Sequence, residues 1–342
     1  MRKNVFLFIL SLALASFFSG CKKSEPADSG GVSPGAEKNA PGKSGQSVEL
    51  KVKWSVGNRY VYRIDIDQAV RTKIPQMPKP VQQDITMAQT YALSVLAETN
   101  NGGRQLELEF LSQEFEVKMG EQTMMSFDSK GDASGDKQNP LAGPFRRMIG
   151  SRLTLILDSD NKVESVQGFD EWTDLVTSNS PPEAKGMISG IYNEDYVKQI
   201  ADYTKWLPTK PIAIGDKWPS KVEVPAGPMG KLLLEANSTF KGWEEHDKRR
   251  CAMIESSGSL KSLPGQQAGP MGKMAIDKGK TKGKNWFDPE LGAVVETASE
   301  QTMSMKIDLP GQPGGKQAAQ PFSSDITQKV TVKLVELSSV KK

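Results

Sequence analysis

The chain has a single histidine, His246, in the run Trp243-Glu244-Glu245-His246-Asp247-Lys248. An imidazole among carboxylates is donor chemistry for a divalent metal. A zinc site, however, draws three or four N, O or S ligands together, and no second histidine is present. The competing reading is a solvated turn at a hairpin tip, charged because it faces water, and that is the reading adopted. A hydrolase using His246 as base would need a nucleophile on a shaped turn such as Gly-x-Ser-x-Gly. Ser256-Ser257-Gly258-Ser259 does not fit that pattern. Asp128, Asp132 and Asp136 recur every fourth residue, with Gly131 and Gly135 between them. A calcium loop of the EF-hand type spaces its ligands at alternate residues and closes with a bidentate glutamate, so these aspartates read as turn residues.

Methionine offers a second chemistry. Gly227-Pro228-Met229-Gly230-Lys231 recurs as Gly269-Pro270-Met271-Gly272-Lys273, Met77 sits in a third proline-rich loop, and Met303 and Met305 share a strand face. Thioethers at such spacing suit copper(I); as flexible apolar filler they suit a core or a loop tip, and the second reading is preferred. Cys251, in the strand-like run Arg250-Cys251-Ala252-Met253-Ile254, reads as a small buried hydrophobe rather than a nucleophile. No cofactor motif emerges: no glycine-rich loop opens a helix as a phosphate cradle does.

The elements that position these residues begin with the stretch 168–208, which alone reads clearly as helix. Tyr196, Ile200, Tyr203 and Leu207 recur at i, i+4, i+7 and i+11, one face of a helix, with Asn193 as N-cap and Pro208 as stop. Ser180-Pro181-Pro182-Glu183 has capping-box spacing. Phe169, Trp172 and Val176 mark a shorter helix. Trp172, Tyr196, Tyr203 and Trp206 are the candidate lining of a ligand groove; the alternative is that they are ordinary core.

From Val48 onward the hydrophobic period is two. Tyr60, Tyr62, Ile64 and Ile66 alternate with Val61, Arg63, Asp65 and Asp67. The pattern continues through Leu106-Leu108-Phe110, Phe115-Val117-Met119 and Leu153-Leu155-Leu157, with turns at 100–103 and 158–161. Short turns between alternating strands predict an antiparallel meander. Val56-Gly57-Asn58-Arg59-Tyr60 is echoed by Ile214-Gly215-Asp216-Lys217-Trp218, and the hairpin at Asp158 by Trp286-Phe287-Asp288-Pro289-Glu290-Leu291-Gly292. The expected fold is mainly β with some helix (α+β): two related antiparallel curved sheets or half-barrels joined by a short helical segment.

At the amino end Arg2 and Lys3 precede an apolar run, Val5 to Phe18, too short to favour a stable membrane span. It ends in Phe18-Ser19-Gly20-Cys21. This resembles the lipobox of bacterial lipoproteins, with Phe18 where that family prefers leucine or a smaller aliphatic residue. The resemblance implies signal cleavage before Cys21 and acylation of that cysteine. Several acyl chains, at about 0.8 kcal/mol per buried methylene, anchor a protein far more firmly than one chain. Lys22 after the cysteine implies, within that family, the outer membrane facing the periplasm. Residues 22–47 are rich in Pro, Gly, Ser, Ala and Lys and cannot bury enough surface to fold; as a flexible tether they reach roughly 30 Å.

The formal net charge is +3, and Arg2 and Lys3 would leave with the signal. With no basic stripe, nucleic acid is rejected as a partner. The chain divides into a signal peptide (1–20), a lipidated cysteine and disordered tether (21–47), a first β lobe (48–168), a helical segment (169–208) and a second β lobe (209–342). The layout resembles the half-barrel of periplasmic lipoprotein carriers, and the lipobox, tether and Trp-Phe-Asp-Pro-Glu-Leu-Gly run look like uncharacterised two-lobed lipoproteins of Gram-negative bacteria. The expectation is a non-enzymatic envelope lipoprotein that binds an apolar ligand or an envelope component such as a lipid or protein. The alternatives are a structural or interaction lipoprotein without ligand, and a hydrolase of envelope polymers.

Overall fold

The computed structural model describes residues 47–74, 77–225, 231–263, 273–308 and 322–340. Cys21, the tether and the Gly-Pro-Met-Gly tips at 227–230 and 269–272 lie outside the described residues. The strands are β1 (Asn58–Lys73), β2 (Val81–Glu98), β3 (Arg104–Met119), β4 (Gln122–Asp128), β5 (Arg152–Leu157), β6 (Val163–Gln167), β7 (Lys217–Pro225), β8 (Lys231–His246), β9 (Arg249–Ser262), β10 (Lys273–Asp288), β11 (Ala293–Asp308) and β12 (Phe322–Ser339). The helices are α1 (Ala142–Met148), α2 (Phe169–Thr177), α3 (Pro182–Ile191) and α4 (Glu194–Ala201).

The mainly β, curved antiparallel class stands, and the sheet is open. The two sheet regions expected from the sequence are hydrogen-bonded into one 12-stranded sheet of order β6-β5-β3-β2-β1-β12-β11-β10-β9-β8-β7, with β4 paired to β3 off this path. The join is the last strand, which pairs with β1 on one side and β11 on the other. β12 alternates from Phe322 to Leu334, with Phe322, Ile326, Val330 and Val332 buried on one face together with the polar Ser324 and Gln328. This one strand extends the core of both regions, which pattern reading within each region does not reveal.

The echoed sequence motifs adopt matching geometry. Gly57 and Gly215 both take positive φ, 87° and 96°, and their N–H groups donate to Val95 and Phe240 of the neighbouring strand at 2.9 and 2.7 Å. Asp158 and Asp288 each cap their turn, with Oδ1 accepting backbone N–H groups two residues on and beyond. Such Asx turns account for aspartate at both tips. Residues 47–54 run across both halves: Val48 bridges Ile212, and Lys53 N–H donates to Gly292 O at 2.8 Å.

The helices cover the buried face of β1 to β5. Asn193 caps α4 as expected, its Oδ1 accepting from Tyr196 N–H at 2.9 Å. α4 ends at Ala201, earlier than Pro208, and a short 3-10 turn, Thr204–Trp206, follows. Pro182 opens α3, but the residue at the cap is Pro181, not Ser180. The Ser180 hydroxyl instead accepts from Arg147 Nη2 at 2.8 Å. No helix among the described residues is long and apolar enough to cross a membrane.

Candidate ligand groove

The four aromatic residues expected to line a groove are all buried. Trp172 stacks on Phe110 with ring centroids 5.6 Å apart, and its Nε1 donates to Ser151 Oγ at 2.8 Å. Tyr196 Oη donates to Gln89 Oε1 at 3.0 Å. The hydroxyls of Tyr203 and Tyr91 lie 3.2 Å apart. Trp206 packs edge-on against Phe287, and its carbonyl accepts from Trp218 Nε1. Burial pushes the phenols of Tyr91, Tyr192, Tyr196 and Tyr203 above their ordinary range, so they act as neutral hydrogen-bonding groups. The helices thus bring these residues into the packed layer between themselves and the sheet.

The described cavities lie elsewhere, over the second half of the sheet. One, of about 960 Å³, is lined by all six strands from β7 to β12. A second, of about 560 Å³, adjoins it and shares Asn237, Ser257, Lys282, Glu300 and Lys329. Strand register explains the lining. One cross-strand row reads Lys221, Glu235, Ser259, Lys280, Thr302, Thr327, and the next reads Pro219, Asn237, Ser257, Lys282, Glu300, Lys329. Both rows lie on the outward face, and the sequence around β10, Lys278-Gly279-Lys280-Thr281-Lys282-Gly283-Lys284, carries no apolar alternation to mark it as strand.

Charge in the groove is uneven. Glu235 is bridged by Lys261 at 2.6 Å and Lys221 at 3.2 Å, and Glu300 by Lys282 at 2.7 Å; these ammonium groups hold both carboxyls below the usual range. Lys280, Lys284 and Lys329 have no salt-bridge partner among the described residues. The groove therefore offers ammonium groups outside any salt bridge beside the hydroxyls of Ser257, Ser259, Thr302 and Thr327, with Lys329 across from Glu300 and adding to the field that lowers its carboxyl.

The opposite face of the same strands carries small residues from β7 to β10 and the buried Gln301 and Gln328 on β11 and β12. Gly258 faces Ala236 and Thr281 on its neighbours. A Cβ at 258 would lie 2.3 Å from the Glu235 carbonyl oxygen, so only glycine permits this approach. The hydroxyls of Ser220, Ser256, Thr281 and Ser299 are buried on this face without a hydrogen-bond partner among the described residues.

The other candidates resolve individually. Asp128, Asp132 and Asp136 form no metal-ligand group among the described residues: the first two accept backbone N–H groups of their own turns, Asp136 pairs with Arg146, and all three carboxylates surround that guanidinium. Met303 and Met305 are buried in the core. Cys251 is buried, and burial pushes its thiol up to about 12. His246 is at a hairpin tip, as expected, but the structure brings Glu296 and Lys333 to it from β11 and β12. Those partners lie 50 and 87 residues away in the chain, beyond any local spacing rule.

An open, curved antiparallel sheet, helices over one half and a lysine- and hydroxyl-lined groove over the other, defines the class of protein. Residues 101–316 match a family of unknown function (DUF6263), and the chain belongs to that family. No curated protein matches it. Among solved structures it is similar to lipovitellin (described by its lipid-protein interactions), at 11% identity and TM-score 0.47, over 85% of this chain and 26% of that one. The chain thus spans about a quarter of lipovitellin. It is also similar to a DUF1329 family protein from Desulfovibrio piger, at 7% identity and TM-score 0.13, over 81% and 86% of the two chains. An outer membrane channel from Pseudomonas putida F1 aligns at 7% identity and TM-score 0.19, over 86% and 99%. Likeness at this level carries no function across.

Proposed function

We propose that the chain is a lipid-anchored, non-enzymatic binding protein of the bacterial cell envelope, and that its groove takes the phosphorylated headgroup of an envelope lipid. The observation that carries this reading is the cavity of about 960 Å³ spanned by six strands, with Lys280 and Lys329 outside any salt bridge among the described residues and flanked by hydroxyls. Its volume is at the upper end of ligand pockets, and ammonium groups are point-charge phosphate binders. Anchoring at Cys21 and a tether of about 30 Å would hold the groove within reach of a membrane surface, on the outer membrane facing the periplasm in the favoured arrangement. The apolar part of the ligand has no assigned pocket among the described residues; the aromatic set Trp172, Tyr196, Tyr203 and Trp206 serves as core in this reading.

Native mass spectrometry on the full chain, purified from envelope in detergent, tests it. A bound mass of lipid size is expected, displaced by soluble glycerophosphate in excess and lost in the Lys280→Gln/Lys329→Gln double variant. A mass free of lipid in both proteins would sink the reading and turn the search to protein partners.

A further inference from the structure

The cluster around His246 stands apart from the groove and carries its own chemistry. His246 Nε2 lies 3.2 Å from Glu296 Oε2. Asp247, the next residue, reaches the same point, and the ligand atoms of His246, Asp247 and Glu296 all lie within 4.8 Å of one another. The imidazole is held in place: its ring stacks on Trp286 with centroids 4.3 Å apart and planes 9° from parallel, and Trp286 Nε1 donates to Glu244 Oε2 at 2.8 Å. The carboxylates already grip a cation. Lys333 Nζ sits 2.8 Å from Asp247 Oδ2 and 3.3 Å from Glu296 Oε2, and this pairing holds Asp247 below the usual carboxylate range.

We propose that His246, Asp247 and Glu296 form a site for a divalent transition metal of the zinc class, with the Lys333 ammonium as the cation it displaces. One nitrogen and two carboxylate oxygens are a recurrent ligand set for such ions, with a fourth position left to water. Tetrahedral zinc with bonds of about 2.0–2.1 Å needs donors roughly 3.4 Å apart. The His246–Glu296 pair is already at that separation, so only the Asp247 side chain, on the exposed tip, has to close. Glu244 fixes the Trp286 ring, and stacking on that ring sets the plane of the imidazole so that Nε2 faces Glu296. Lys333 is not fixed by burial, with 39% of its side chain exposed, so it can swing to solvent when a metal enters. The two readings of the cluster, ion-pair network and metal centre, differ in what happens when Lys333 is removed.

The test is calorimetric titration of zinc ion alone into the untagged full chain, stripped with chelator. Saturable binding of one zinc per chain is expected, weakened at least tenfold in His246→Ala and in Glu296→Gln. Lys333→Met should tighten zinc binding, because the competing ammonium is gone. Near-UV circular dichroism confirms that each variant is folded. Absence of saturable uptake by the wild-type chain would overturn the proposal. So would uptake unchanged in both Glu296→Gln and His246→Ala, or uptake that Lys333→Met abolishes.

Discussion

Gln89 on β2 and Tyr196 on α4 are bonded across the interface between sheet and helices, Tyr196 Oη donating to Gln89 Oε1 at 3.0 Å. The other end of the same amide is also used: Gln89 Nε2 donates to Gln113 Oε1 and to Tyr192 Oη, both at 3.0 Å. Three elements are therefore registered on the sheet through one buried side chain. An unpaired polar group in such a place costs about 1–3 kcal/mol, so the network specifies where α3 and α4 sit. Gln89→Leu strands the Tyr196 hydroxyl, while Tyr192 Oη still donates to Gln113 Oε1 at 3.2 Å, and should lower stability by about 1–3 kcal/mol. Urea unfolding measures this; a loss below about 0.5 kcal/mol, with no change in the slope of the transition, would refute the assigned role.

Local features of this region were legible in the sequence because local physics decides them. Asn193 caps α4 since its short side chain reaches its own helix's N–H groups, and the Tyr60-to-Ile66 alternation is the pleat itself. The rest was hidden for stated reasons. α1 contains Gly143 and Pro144, both of which discourage a helical reading; tertiary packing of Phe145 and Met148 outweighs them. β10 lacks apolar alternation over 278–284, because one of its faces is the lysine-bearing groove and the other holds Gly279 and Gly283. Trp172 and Tyr196 lie on helices as their spacing predicts, Tyr203 and Trp206 follow α4 at a short 3-10 turn, and helical spacing does not distinguish a packed face from a ligand-lined one. Glu296 and Lys333 reach His246 only through strand register, which the sequence near residue 246 does not encode.

The face opposite the groove supplies a prediction with the reverse sign of most core substitutions. Ser256 and Ser299 are 5% exposed, and their hydroxyls lack partners among the described residues. Alanine removes an uncompensated polar group while leaving the close strand approach intact. Ser256→Ala and Ser299→Ala should each hold stability level or raise it by about 1 kcal/mol. Thermal unfolding is the measurement. A fall of 1 kcal/mol or more in either variant would mean that these hydroxyls are satisfied in solution and that the buried face is wetter than its exposures imply.

Cys251 gives a prediction in pH. Burial comes first among the causes that raise its thiol from the ordinary 9.0 to about 12. A raised value means that folding favours the protonated form. The contribution to stability is therefore complete below pH 9.0, and it is lost as pH rises from there toward about 12. In the native protein the thiol should resist iodoacetamide at pH 8, since the thiolate is the nucleophile, and should react readily once urea unfolds the chain. Rapid alkylation of the folded protein at pH 8 would contradict the burial of this strand. Cys251→Ser should remove the fall in stability that begins at pH 9.0, leaving the part above pH 10.0 that the raised, buried phenols of Tyr91, Tyr192, Tyr196 and Tyr203 contribute.

The groove's electrostatics give the last prediction, which separates charge from shape. Lys280 and Lys329 project from β10 and β12 on the outward face and form no salt bridge among the described residues, whereas Lys282 pairs with Glu300 at 2.7 Å. A lysine near an anionic membrane surface contributes about 1 kcal/mol. Removing the two free lysines should then weaken binding to vesicles of anionic phospholipid by about 2 kcal/mol, or roughly 30-fold. Lys282→Gln removes one positive charge and leaves the Glu300 carboxylate without its nearest ammonium group, so it should cost about 1 kcal/mol, half the loss of the double variant. Raising salt from 0.05 to 0.5 M shortens the screening length from over 10 Å to a few Å, and should erase the difference between wild type and double variant. Flotation of vesicles with bound protein measures all three. If Lys282→Gln and the Lys280→Gln/Lys329→Gln variant weaken binding equally, the free-lysine argument fails, and the surface acts through its hydroxyls and shape alone. If salt leaves binding unchanged, the interaction is not electrostatic, and the contact to seek is an apolar one on another part of the chain.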